Sequence, residues 1–358
     1  MTRAEQILSA ASQLPTPLVV YDPERLAEVV SSLRSDLEAL GEVRLCFSVK
    51  ANRCPAVLCC LANLGLGADV ASSLELTRAL EAGLRPLYAT APHWSLAELD
   101  RLRQAGCLPD LDGYSQLEQW ARLTGPGPAG LRLSFPGWDQ QPSRFGFDPD
   151  CPRLAELLRQ WQLEVRQLHV HAGEIATVER AGRLLEMLEH ALDRFPATEL
   201  VNLGGGLTEM YRGERPAARI WALLGKGLAR RRRVRLVVEP GMAIVATAGF
   251  LVTQIVEVKG GLAVLDASAW NLLGWYPWMA PRVLATQAQG ARSRWSLVGC
   301  SCYEKDYFAT EVELPQLAVG QRLVLSAAGG YVTSMARSLH GLEVPPEWLF
   351  ENGRLRPA

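Results

Sequence analysis

The sequence predicts an α/β fold, a TIM (β/α)8 barrel followed by a mostly β C-terminal domain. Three observations carry this reading. Short β-type runs alternate with helical patterns at intervals of roughly 20 to 35 residues between Val43 and Glu239. Residues capable of chemistry recur where those runs end. After Glu239, strand-like runs succeed one another with no long helix between them.

Eight runs lie in the first part: Val43 to Val49, Gly67 to Val70, Pro86 to Thr90, Leu108 to Asp112, Gly130 to Ser134, Val165 to Val170, Glu199 to Leu203 and Val234 to Val238. Between them, stretches such as SSLELTRALEAG and RLAELLRQWQ repeat apolar residues three and four apart, the period of a helix with one buried face. Eight parallel strands with outer helices close into a barrel, whose chemistry gathers at the C-terminal strand ends. The barrel is expected over residues 23–244. VATAGFLVTQIVEVKGGLAVLDAS and RSRWSLVGCSC open a β-rich domain near Val245. Pro17 to Tyr21 is strand-like, so residues 1–22 are expected to join 245–358 and bring the termini together.

Composition narrows the function. The 358 residues suffice for a sizeable core, and 37 Lys plus Arg against 38 acidic residues give a net charge of -1. No global field draws in nucleic acid or an anionic membrane, which leaves a small molecule as the expected partner. The N-terminal MTRAEQILSAASQLPTP lacks the apolar segment of a signal peptide, and no run of about 18 apolar residues suggests a spanning helix. Cys46, Cys54, Cys59, Cys60, Cys107, Cys151, Cys300 and Cys302 show no C-x-x-C pairing. A reducing cytoplasm is the expected location. Arg230 to Arg233 reads as a solvated cationic helix end that complements the helix dipole, not as a nucleic-acid patch.

The strand ends carry Lys50, then Asp69 and Ser72, then Arg132, His171, Gly204 to Gly206, and Glu239. A strand-end lysine is often a surface charge. Burial among Phe47, Val49 and Ala51 is expected to disfavour the Lys50 ammonium, as a Schiff-base lysine requires, and pyridoxal 5'-phosphate is the carbonyl partner this suggests. Gly204, Gly205 and Gly206 let backbone N–H groups approach a phosphate, with the dipole of the next helix behind them; the alternative is a tight turn. Glu239 would keep a pyridine nitrogen protonated, or form a salt bridge to a nearby arginine. His171 is placed against the ring face. His169 is expected to be a hydrogen-bonded core histidine, and since no third ligand accompanies the H-x-H spacing, no metal is expected.

Together these residues resemble the fold-type III, pyridoxal-phosphate-dependent decarboxylases, the family of ornithine, arginine and diaminopimelate decarboxylases that shares its barrel with alanine racemase. FSVKAN is similar to the family's Y-x-V-K-A-N and implies that Lys50 is the Schiff-base lysine. GADVASSLEL implies cofactor-site support from Asp69, Ser72 and Glu75; LRLS places Arg132 on the cofactor side; HVHAG makes His171 the ring-stacking histidine. VNLGGGL and EPG supply the phosphate glycines and Glu239. GCSCYEKD resembles the segment that carries the family's catalytic cysteine, here Cys302, with Tyr303 and Glu304 beside it as substrate contacts. AAGGYVTSM places Tyr331 at the phosphate-contacting tyrosine.

The resemblance further implies a homodimer with shared active sites, in which the cysteine segment reaches the partner's barrel and Asp306 pairs with Arg144 across the interface. Decarboxylation is the implied reaction, with Cys302 reprotonating the carbon. The alternatives are a racemase or epimerase on the same fold, which Glu239 and Cys302 disfavour, and a non-catalytic regulatory protein. Three departures bear on the substrate. Met242 follows EPG where many members carry arginine, Tyr303 stands where several have an acid that reads a distal amine, and Glu174 replaces a small hydroxyl residue. They suggest a substrate other than a plain diamine precursor, such as a conjugated amino acid of a siderophore or antibiotic pathway.

Overall fold

The computed structural model describes residues 1–139, 141–211, 216–229, 234–273 and 281–358; the arginine run at 230–233 lies outside them. The chain forms two compact units. One comprises Val30–Lys50 and Leu61–Gly241, the other Met1–Val29, Ala51–Cys60 and Met242–Ala358.

The first strand, β1 (Leu18–Tyr21), belongs to the second of these units. The next eight are β2 (Val43–Ser48), β3 (Gly67–Val70), β4 (Leu87–Ala89), β5 (Asp110–Leu111), β6 (Gly127–Arg132), β7 (Leu163–His169), β8 (Leu200–Asn202) and β9 (Arg235–Val238). They form one parallel sheet in the order β4-β3-β2-β9-β8-β7-β6-β5. A bridge between Thr90 and Asp110 joins its two edges, which makes the sheet a barrel. Each of the eight runs read from the sequence overlaps one of these strands. Register then delivers the polar residues. Ser48 lies beside Asp69, and Arg132, His169 and Asn202 lie in a row, all at or next to the last position of their strands. Parallel pairing therefore sets five polar side chains at the C-terminal end, where a barrel keeps its chemistry.

The outer helices start and stop as their local chemistry dictates. Ser72 caps the helix Ser73–Ala82, accepting from Glu75 N, and the helix ends on Gly83 in the left-handed region at φ +82°. Ser95 and Glu98 form a reciprocal capping box at the start of Leu96–Gln104. One element differs from expectation. The glycine run at 204–206 leads into a single 3-10 turn, Glu209–Tyr211, and the next α-helix begins only at Ala217. Among the described residues, no α-helix N-terminus backs the glycines directly.

The second unit is a nine-stranded sheet: β1 joined by β10 (Gly249–Lys259), β11 (Leu262–Leu265), β12 (Val283–Thr286), β13 (Arg292–Val298), β14 (Tyr307–Pro315), β15 (Arg322–Leu325), β16 (Glu347–Glu351) and β17 (Arg354–Pro357). β1 pairs antiparallel with β10 and parallel with β16, so both ends of the chain sit in one sheet. The helix Arg3–Ala10 seals it, packing Ile7, Leu8 and Ala11 against Val20, Phe250, Val324 and Phe350. Residues 51–60 also belong here, although a continuous barrel over 23–244 was expected. The reason is hydrogen bonding: Asn52 Nδ2 donates to Gly329 O at 2.8 Å and Tyr331 N to Ala51 O at 2.7 Å. Among the described residues, no helix is long and apolar enough to cross a membrane.

Candidate active site

The barrel interior is polar at its C-terminal end. Ser48, Asp69, Asp110, Gln167, His169, Asn202 and Glu239 are all buried. Glu239, 3% exposed, accepts from Asn202 Nδ2 at 2.5 Å through Oε1, while Oε2 lies 3.5 Å from His169 Nε2. Burial pushes the Glu239 carboxyl above its usual range, and the Asn202 bond pulls against that. His169 is pushed down to about 3 by burial and the nearby Arg132 charge, so it is neutral and its contact with Glu239 is not an ion pair. It lies in the core, but the hydrogen bond expected of it is missing at Nδ1, which has no partner among the described residues. The Ser48 hydroxyl lies 3.1 Å from both Asp69 Oδ2 and the Glu239 carbonyl oxygen, with one proton to give to either.

Lys50 occupies the 3-10 turn after β2, and its Nζ stands 3.5 Å from Asp69 Oδ2. Here the structure corrects the sequence reading. Phe47, Val49 and Ala51 are buried, but the Lys50 side chain is 48% exposed, so the apolar burial expected around its ammonium is absent and the neighbouring group is a carboxylate. Asp69 is itself pushed up by burial and by Glu239, with Lys50 acting in the opposite direction; its Oδ1 has no hydrogen-bond partner among the described residues.

The glycines at 204–206 are required by close packing as much as by any anion. Gly206 has φ +75°, and a Cβ there would meet Gly173 O at 2.0 Å; a Cβ on Gly204, φ +67°, would meet Val170 O at 2.7 Å. Two of the three N–H groups are already engaged, Gly204 N with Asn202 Oδ1 at 2.9 Å and Gly205 N with His171 Nδ1 at 3.3 Å. The second bond fixes the His171 ring and makes Nδ1 its acceptor. Glu174, for which the sequence offers no physical account, has one here. Its Oε2 accepts from Glu209 N at 2.9 Å, and Ile175 N donates to Gly206 O at 2.8 Å, so the 173–175 and 206–209 segments are tied together.

Arg132 closes the row on β6. Its Nε lies 3.7 Å from Asp112 Oδ1, and its guanidinium sits 4.2 Å from the centroid of Phe145. Ser72 and Glu75, expected to support a cofactor, serve the backbone in part: Ser72 caps its helix, and Glu75 Oε2 accepts from Ala71 N at 2.7 Å. Among the described residues, no group of three or more His, Cys, Asp or Glu is arranged to hold a metal ion.

In the β-rich unit, Cys302 and Glu304 are exposed and Tyr303 is half-buried. The Tyr303 ring lies 4.0 Å from that of Trp270. Asp306 is 3% exposed, accepting from Trp270 N at 2.9 Å, Ser301 N at 3.1 Å and Ser301 Oγ at 2.5 Å. Both of its oxygens are thus engaged within its own unit. The Arg144 guanidinium stacks 4.0 Å from the Phe145 centroid. Asp306 organises the loop that carries Cys302. Tyr331 holds φ +57°, a left-handed conformation unfavourable for a side chain of its size, fixed by its bond to Ala51 O. Met242 is buried and packs against Gly330, where a Cβ would come within 2.9 Å of its Sδ.

Sequence reasoning missed Ser48, Asp110, Asn202 and Trp270. A signal existed for Asn202, the one polar residue in the apolar run before the glycines, and for Asp110, an acid inside a β-type run. None existed for Trp270, which only the fold brings to Tyr303.

Residues 26–246 match the family model of the pyridoxal-dependent decarboxylases, pyridoxal binding domain. The chain is 29% identical to the diaminopimelate decarboxylase of Pseudomonas aeruginosa, covering 90% of this chain and 84% of that one. It is 25% identical to the enzyme of the same name from Aquifex aeolicus, over 97% and 89%. The diaminopimelate decarboxylase of M. jannaschii, solved with L-lysine, superposes with a TM-score of 0.83 at 20% identity, covering 98% of this chain and 91% of that one. Fold, strand-end residues and family model agree, and the chain belongs to the pyridoxal-dependent decarboxylases, carboxy-lyases whose cofactor is pyridoxal 5'-phosphate.

Proposed function

We propose that this protein decarboxylates an α-amino acid, or a conjugate of one, using Lys50 to carry the cofactor and Cys302 to deliver the final proton. One observation supports this most strongly. A buried carboxylate, Glu239, is pinned by Asn202 at 2.5 Å in the same barrel end as the Lys50–Asp69 pair. The residues fit a flat heteroaromatic ring with a phosphate arm. Asp69 Oδ1 and His169 Nδ1 are buried polar atoms without partners among the described residues, and the 204–206 loop admits no side chain where the backbone must approach an anion.

When bound, pyridoxal 5'-phosphate supplies an electron sink for the pair left on the α-carbon as carbon dioxide departs. The chain's own residues set the conditions. Glu239 holds a proton at the pyridine nitrogen, and Asn202 fixes its orientation. Neutral His169 brings no competing positive charge to that carboxylate. His171, positioned by Gly205 N, lies against the ring, with Asp69 and Arg132 on the cofactor side. Of the three glycine N–H groups, Gly206 is the one left for the phosphate, with Tyr331 as the second contact. Cys302 gives its thiol proton to the α-carbon. Two copies share their active sites as a homodimer. Tyr303, beside the thiol, supports a substrate whose distal end is not a plain amine, which accords with a conjugated amino acid of siderophore or antibiotic assembly.

The test begins with protein incubated with pyridoxal phosphate: its visible absorbance before and after borohydride, and peptide mapping of the reduced product. A pyridoxyl group on Lys50, followed by carbon dioxide release from an amino-acid panel, is expected. Absence of a visible band, or attachment to another lysine, would overturn the assignment.

A further inference from the structure

The first residues of the barrel strands build a second polar cluster, at the opposite end from Lys50. Side chains alternate along a strand, so in β2 Arg44 continues the inward row of Cys46 and Ser48, and in β9 Arg235 continues that of Val237 and Glu239. Cys46, Tyr88, Leu200 and Val237 pack as one buried layer across the interior. Asp69 and Glu239 lie on its C-terminal side, Arg44 and Arg235 on its N-terminal side. There the strand starts surround a cavity of about 530 Å³, whose lining belongs wholly to the barrel unit.

The charges around this cavity do not cancel. Three arginines and two glutamates line it. Glu164 and Glu199 both accept from Arg166, the first from its Nε at 2.9 Å, and Glu199 Oε2 lies 3.9 Å from Arg235 Nη2. Arg44 is left over. Half-buried, its guanidinium donates to the Tyr88 hydroxyl at 3.2 Å and has no carboxylate within ion-pair distance among the described residues; Glu42 acts on it only through space. Because Tyr88 accepts that bond, its own proton is still to be given, and among the described residues nothing accepts it. Burial pushes the phenol up to about 12, so the proton stays in place at neutral pH. Gln167 does not compete, since its amide N–H groups go to Leu108 O at 3.0 Å and Asp110 Oδ1 at 2.7 Å.

A guanidinium fork beside a phenolic O–H matches the two oxygens of a carboxylate, and a cation partly withdrawn from water is stabilised by an anion of its own. One uncompensated positive charge calls for one negative charge. Pro86, Leu108, Pro128 and Leu200 supply apolar wall beside these donors, and the volume is that of a small-molecule site. We propose that the N-terminal mouth of the barrel is a second binding site, in which Arg44 and the Tyr88 hydroxyl hold the head group of a small monocarboxylate with an apolar body. The buried layer separates it from the strand-end residues of the active site, so the assignment does not depend on the decarboxylase reading.

The test titrates the full-length, cofactor-loaded protein by ligand-observed NMR with benzoate and hexanoate. Benzamide serves as the uncharged isostere and inorganic phosphate as the anion without an apolar body. The carboxylates are expected to bind, and benzamide and phosphate to bind about 10-fold more weakly or worse. Arg44→Gln should weaken the carboxylates about 10–100-fold, the range for loss of a charge-assisted hydrogen bond. Tyr88→Phe keeps the ring in the buried layer and removes only the donor; it should weaken them about 10-fold and serves alone if Arg44→Gln does not fold. Arg159→Gln, at an exposed helix position, should match wild type. Binding of neither carboxylate, or wild-type affinity in either site variant, would overturn the proposal. So would phosphate binding as tightly as benzoate, which would mark a site for any anion.

Discussion

Asn202 donates to Glu239 Oε1 at 2.5 Å while its own side-chain oxygen accepts from Gly204 N at 2.9 Å. One amide thus couples the buried carboxylate to the glycine loop. Asn202→Leu would strand both a carboxylate oxygen and a backbone N–H, at a cost of about 1–3 kcal/mol for each buried group left without a partner. It would also remove the hydrogen bond that holds the Glu239 pKa down, so burial would push that carboxyl higher still. Glu239 would then take up its proton at higher pH, and the acid limb of the activity profile should move upward. Urea denaturation and a pH–rate profile test this; an unmoved acid limb in a folded variant would show that Asn202 does not tune Glu239.

Gly206 has no room for a side chain. Its φ of +75° disfavours any L residue, and a Cβ would lie 2.0 Å from Gly173 O, which is backbone and cannot swing aside. Gly206→Ala should therefore force the 173–175 and 206–209 segments apart, costing about 2 kcal/mol or more and weakening cofactor binding at least 10-fold. Gly113→Ala, at an open position with nothing within 4 Å, is the matched control. Equal pyridoxal phosphate affinity in the two variants would show that the loop tolerates the separation.

The barrel was legible because parallel β/α units repeat a period that apolar residues must follow, and because strand ends are where chemistry-bearing residues concentrate. Lys50, Asp69, Arg132 and Glu239 were all found on that basis. What sequence could not show is how local polar groups are spent. Ser72, read as a site residue, also caps a helix, and Asp306, read as an interface acid, also bonds Ser301 and Trp270. Exposure was equally hidden: apolar neighbours in the sequence do not bury Lys50, because Val49 and Ala51 turn inward while its own side chain stays 48% exposed. Tyr303 and Trp270 lie far apart in the chain, and no spacing rule links them.

Asp306 holds the Cys302 loop through three donors, one on Oδ1 and two on Oδ2. In Asp306→Asn the carbonyl oxygen can serve one side only, and the amide must turn N–H groups toward at least one donor. The loop should loosen without touching the barrel. Cofactor loading and its visible spectrum should stay as in wild type while turnover falls about 10-fold or more, the range ascribed to a misplaced general acid. Cys302→Ala should show the same pattern. A variant that loses the cofactor instead would assign Asp306 to folding of the site as a whole.

Asp110 is fully buried in the barrel, accepting from Gln167 Nε2 at 2.7 Å and Thr90 Oγ1 at 3.1 Å. Burial raises its carboxyl well above the ordinary value of 3.8, with Glu239 and Asp69 adding to the effect. A carboxyl raised in the folded state keeps its proton where the unfolded chain has released it. Stability therefore falls as pH rises from near 3.8 toward the folded value, and above that value the whole penalty is present. Asp110→Asn removes the titration and keeps both hydrogen bonds, since its carbonyl can face Gln167 and its amide can donate to Thr90. The variant should be more stable than wild type at neutral pH by about 1 kcal/mol or more, with the gain vanishing on acidification below the ordinary aspartate value. Denaturant titrations at pH 4 and pH 7 measure it; a gain of equal size at both pH values would mean that packing, not charge, separates the two proteins.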